Sequence, residues 1–95
     1  MSDPILLAED SGVVVMYVVG HGKSAMTIFS SNARHNLGAA QGAIRQIAPH
    51  AEHVRYRPAQ GRQAAHIIVN FAGELTEQVR RSYAGAFVEA VKLLS

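Results

Sequence analysis

A chain of 95 residues is the size of one domain, 1–95, and 48% apolar with 17% charged residues is the composition of a folded protein rather than a disordered one. Nine Lys and Arg against seven Asp and Glu leave a formal charge of +2, too small to imply nucleic acid by itself. The lack of cysteine excludes disulfides, thiolate metal sites and cysteine nucleophiles.

The start, "MSDPILLAEDSG", has no basic stretch followed by a long apolar one, so no signal peptide is read there and a cytoplasmic location is expected. "PILLAED" followed by "DSG" reads either as an extra amino-terminal strand turning into Val13 or as an arm reaching a neighbouring chain. The apolar run from Val13 to Val19 is far shorter than the roughly 20 residues a membrane helix needs, so no membrane contact is expected. It alternates into a strand instead. His21-Gly22 is a two-residue turn with glycine at the second position, where positive φ is required. That turn sets Tyr17 opposite Met26 on the returning strand.

A first helix is expected over 32–48, with Ser30 or Ser31 as its cap and Pro49 just past its end. Ala33, Leu37, Ala40, Ile44 and Ile47 form its apolar stripe. His35, Gly38, Ala39 and Gly42 lie opposite. Glycine inside a helix costs about 1 kcal/mol, so the two glycines mark either a weak surface helix or a place of close backbone approach.

The second half follows the same plan. "HVRYRPAQGRQAAHIIV" gives two strands about a Gln60-Gly61 turn, which sets Tyr56 opposite Ala65. Pro58 removes a ladder donor and points to a sheet edge or an early strand end. A second helix is expected over 74–94. Glu74 and Glu77 complement its positive end, Lys92 its negative end, and Leu75, Val79, Tyr83, Ala86, Phe87, Ala90 and Leu94 its core stripe. A constant offset of 39 relates Tyr17 to Tyr56, Gly22 to Gly61, Lys23 to Arg62, Ala25 to Ala64 and Ile28 to Ile67. The chain therefore reads as two ββα repeats, about 13–49 and 52–94.

Strand residues alternate between the two sides of a sheet. Val15, Tyr17, Val19, Met26 and Ile28, with Val54, Tyr56, Ala65, Ile67 and Val69, form the set expected under the helices. The other set splits in two. Val14, Met16, Val18, Thr27 and Phe29 are largely oily, whereas His53, Arg55, Arg57 and His66, with Ile68, are largely basic. An apolar patch of this kind points to an interface, and the expectation is a homodimer through Val14, Met16, Val18 and Phe29. The competing expectation folds Ile5, Leu6 and Leu7 over the patch.

Little catalytic chemistry is legible. Gly-His-Gly-Lys-Ser at 20–24 imitates the end of a phosphate loop. However, Tyr17 stands where the first glycine is required, and a strand rather than a helix follows Ser24. No nucleotide is expected. His50, His53 and His66 with Glu52 make a conceivable metal site, opposed by Arg55 opposite His66 on the expected register; no metal or other cofactor is expected. No serine lies in a nucleophile elbow and no carboxylate pair can be read. His53, Arg55, Arg57, Arg62 and His66 are the candidate residues for an acidic partner or phosphate.

The expectation is an α+β domain with a four-stranded antiparallel sheet and two helices on one face. Its expected role is a non-enzymatic, homodimeric protein-interaction or assembly module that recognises an acidic protein. The alternative is nucleic-acid binding through the same basic face. A histidine-based enzyme is the weaker third reading.

Overall fold

A computed structural model of the chain describes residues 3–32 and 36–94. It is α+β. Strands β1 (Ile5–Asp10), β2 (Val13–Gly20) and β3 (Lys23–Ser30) precede helix α1 (Ala40–Ile47). Strands β4 (His53–Arg57) and β5 (His66–Phe71) precede helix α2 (Glu77–Lys92). The five strands form one antiparallel sheet in the order β1-β2-β3-β5-β4.

The amino-terminal segment is the fifth strand. Ser11 and Gly12 both adopt positive φ, 53° and 84°, the combination of a type I′ turn, and Asp10 pairs with Val13 across it. A bulge at Leu7 shifts the register between Leu6 and Ala8. The first predicted hairpin forms as expected, with His21-Gly22 as its turn and Tyr17 opposite Met26.

The second hairpin differs by one residue in its turn. Gln60 and Gln63 exchange backbone hydrogen bonds of 3.0 and 2.9 Å, so the central residues are Gly61-Arg62 rather than Gln60-Gly61. Gly61, at φ +58°, takes the first central position, the one a type II′ turn reserves for glycine. Tyr56 therefore faces Ile67 instead of Ala65, and Arg57 instead of Arg55 faces His66. The slip is of two residues, so every side chain keeps its side of the sheet. Pro58 follows the last residue of β4, which is an edge strand.

One alternating set supplies the core. Val13, Val15, Tyr17, Met26, Ile28, Ile67 and Val69 are essentially inaccessible, and they form one cluster with Leu37, Ala40 and Ile44 and with Ala84, Phe87, Val88 and Val91. Tyr17 is fixed three ways. Its ring is buried, the Arg80 guanidinium lies 5.0 Å from its centroid, and its hydroxyl accepts from the Leu75 N–H at 2.9 Å. Phe71, Tyr83 and Phe87 stack in sequence at 5.6 and 5.7 Å.

Both helices are shorter than their periodicity predicts. Residues 33–35, including Ala33 and His35, lie outside the described residues. Neither Ser30 nor Ser31 caps α1, because the chain first makes a tight turn over 37–39. There the Ala39 N–H donates to the Asn36 carbonyl and side chain, and the Ala40 N–H to Leu37. Gly38 belongs to that turn and lies on Tyr56: a Cβ on it would sit 3.4 Å from the ring, whereas one on Gly42 would meet nothing. Close approach explains one of the two glycines.

Thr76 caps helix α2, its Oγ1 accepting from the Val79 N–H. Leu75 and Glu74 precede the helix, so a stripe counted from Leu75 is out of phase. The buried face is Ala84, Phe87, Val88 and Val91, while Val79 and Leu94 are exposed. At its far end Lys92 donates to Asp10 Oδ2 at 2.7 Å, which ties the helix to the end of β1.

Candidate functional site

The second alternating set lies on the other side of the sheet. Val14, Met16 and Val18 of β2, Thr27 and Phe29 of β3 and Ile68 of β5 are all half-buried there. Pro4, Met16, Val18, Thr27 and Phe29 line a shallow hollow of about 290 Å³. Residues Ile5 and Leu6 do not cover it. They belong to β1, which widens the sheet, and they are themselves 47% and 52% exposed. Leu6 pairs with Met16 and so extends the apolar area toward that edge.

The basic residues differ in exposure, although Arg57 and His66 are direct cross-strand partners and line one hollow with Gln60, Gln63 and Ile68. His53, Arg55 and Arg57 are exposed along the edge strand β4, opposite Asn70, Ile68 and His66 respectively. Arg62 is exposed in the β4–β5 turn, beyond the sheet. His66 is buried, with 4% exposure, and its expected place among freely exposed cations is corrected. Two contacts hold it. Its ring lies 5.5 Å from that of Phe29, and its Nδ1 is 2.9 Å from the Ala64 carbonyl. A carbonyl only accepts, so Nδ1 carries the hydrogen. The pairing of β3 with β5 puts Phe29 beside His66, and two isolated hairpins do not reveal that neighbour.

The remaining candidates are separated. His50 is exposed in the turn after α1, His53 is on the β4 edge and His66 is buried. Among the described residues no three metal-ligating side chains gather. The Gly-Lys-Ser stretch is a hairpin turn followed by β3. Lys23 sits 3.8 Å from Glu52, and the buried Ser24 hydroxyl donates to the Gly73 carbonyl at 2.6 Å. Among the described residues no helix is long and apolar enough to cross a membrane.

One residue on this side escaped the sequence reading, Glu9, and the place of Leu6 opposite Met16 depends on the bulge at Leu7. The signal was present in "DSG": a two-residue turn at Ser11-Gly12 puts Asp10 opposite Val13, hence Glu9 opposite Val14. Across the sheet, acid stands at one edge, apolar groups in the middle and cations at the other edge. Among the described residues, Glu9, Arg55 and Arg57 have no ion-pair partner in their own chain.

Both free edges are protected against strand addition. Pro4 and the Leu7 bulge flank and interrupt β1. On the far edge, the Gln41 amide donates to the Val54 carbonyl of β4 at 2.9 Å. Compared with known proteins, the chain matches no family model, no curated protein and no solved structure.

Proposed function

We propose that the chain is a non-enzymatic protein-interaction module that self-associates through the apolar centre of this sheet side and presents the basic β4 edge to acidic groups. It consists of two ββα units, β2-β3-α1 and β4-β5-α2, with β1 added at one edge and both helices against the core side. One observation carries the proposal: β1 widens the sheet instead of folding over it. Met16, Val18, Phe29 and Leu6 therefore keep apolar surface in contact with water. Removing such surface is worth about 25 cal/mol per Å². Contiguous apolar patches on a sheet mark interfaces, and two-fold pairs are the commonest way to close them.

Sedimentation at micromolar concentration tests the proposal. The expected species is a dimer, and Val18→Asp, which places a charge in the patch but outside the core, should return it to a monomer with its circular dichroism unchanged. A monomer for the unaltered chain sinks self-association. Binding of a random-sequence oligonucleotide at low salt, lost on Arg55→Glu, would instead assign the β4 edge to nucleic acid.

A further inference from the structure

The strand register arranges the outer side of the sheet into rows that cross all five strands. One row runs Glu9, Val14, Phe29, His66, Arg57, and the next runs Leu6, Met16, Thr27, Ile68, Arg55. In the first row an acid and a cation stand at opposite ends, with apolar or buried groups between them. In the second, Leu6 stands opposite the cation. β3 is the central strand of the five.

Two sheets in aligned face-to-face packing keep their strands within about 30° of parallel or antiparallel. A two-fold axis between them then has two simple directions. If it lies across the strands, each edge faces its own copy, and Arg55 is laid over Arg55. Like charges facing each other in an interface oppose association. If it lies along β3, the sheet is reversed from edge to edge. The β1 edge of one copy then covers the β4 edge of the other, and each row meets itself in reverse. Glu9 meets Arg57, Val14 meets His66, and Phe29 meets Phe29.

We infer that the occupant of this sheet side is a second copy of the chain, related by a two-fold axis along β3, with Glu9 of each protomer paired to Arg57 of the other. The inference rests on the self-association proposed above and adds its geometry and its acidic group. Charge complementarity selects the axis. Area permits the contact: five strands about 4.8 Å apart and three alternate residues about 6.8 Å apart cover roughly 500 Å² per copy, about 1,000 Å² in all, the lower bound for a specific interface. The protected edges disfavour a dimer that pairs strands edge to edge. The apolar groove between the helices, lined by Ala43, Ile47, Ala90 and Leu93, offers no comparable charge pairing to select an occupant.

The test uses charge reversal and cross-linking on the full chain. Glu9 and Arg57 are exposed, so neither reversal should disturb folding. At low ionic strength, Glu9→Arg and Arg57→Glu should each weaken the dimer at least about tenfold, since symmetry applies each change twice. The double variant should recover most of that loss. The absence of native cysteine makes a second readout clean. Facing sheets lie about 10 Å apart, beyond disulfide reach, so a short bismaleimide is the probe. The Glu9→Cys/Arg57→Cys variant should cross-link into a covalent dimer, and Arg55→Cys alone should not. A dimer that is indifferent to the reversals, or that cross-links through Arg55→Cys alone, overturns the two-fold geometry and leaves self-association standing. A chain that is monomeric throughout overturns both.

Discussion

Hairpins β2–β3 and β4–β5 each place a tyrosine on the core side of the sheet, yet the two tyrosines have different fates. Tyr17 is sealed under α2, with its hydroxyl held by Leu75 and its face covered by Arg80. Tyr56 is half-buried on an edge strand, with Gly38 against its ring. The outer sides diverge in the same sense. The central hairpin carries Val14, Met16, Val18 and Phe29, and the edge strand carries His53, Arg55 and Arg57. Position in the sheet explains both differences. A central strand is covered on both flanks and gains by being apolar on both sides. An edge strand beside water tolerates charge, and charge discourages unwanted strand pairing.

Core-side truncations in the two hairpins should differ in cost. Ile28→Ala, on central β3, should lose about 3–4 kcal/mol, whereas Val54→Ala, half-buried on β4, should lose less than about 1.5 kcal/mol, both read from urea midpoints at constant slope. The tyrosines give the next largest contrast. Tyr17→Phe leaves the Leu75 N–H without its acceptor and should cost about 1–2 kcal/mol, while Tyr56→Phe should stay within about 0.5 kcal/mol. Equal values would mean that Tyr17 stabilises through its ring alone.

The turns should differ as well. Gly61→Ala puts a Cβ at φ +58° in otherwise open space, so strain alone acts, and it should cost roughly 1 kcal/mol in thermal unfolding. No loss would indicate that the second turn relaxes to another type.

The smallest effect concerns the opposite edge. Hydrogen bonds first from Lys92 and then from Ser11 hold the Asp10 carboxyl below its ordinary value of about 3.9. A lowered folded value means stability that is present above the unfolded value and lost as pH falls through the folded one. Unfolding measured between neutral pH and pH 2 should therefore show a shallower acid limb for Asp10→Asn than for the parent. Lys92, raised first by Asp10 and then by Glu89, acts at the other end of the scale. Its contribution is present below the ordinary lysine value and lost as pH rises through the folded one.

Much of this was legible in the chain. Alternation identified the core side residue by residue, because a pleated strand turns every second side chain the same way. His21-Gly22 fixed one register and Pro58 marked an edge. The Gly61-Arg62 turn was misplaced by one position because a single glycine serves either a type I′ or a type II′ turn. The phase of α2 was misread because Leu75 belongs to the capping loop. His66 looked exposed because its neighbour across the sheet, Phe29, lies 37 residues away in sequence.

The amino-acid sequence alone thus determined the α+β class, the hairpins and which residues share a side, since these follow from local periodicity and turn chemistry. Tertiary structure decided the strand order, the burial of His66 beneath Phe29 and the line from Glu9 to Arg57. Those depend on which strands pair at long range, and the side-chain pattern of either hairpin is compatible with more than one neighbour.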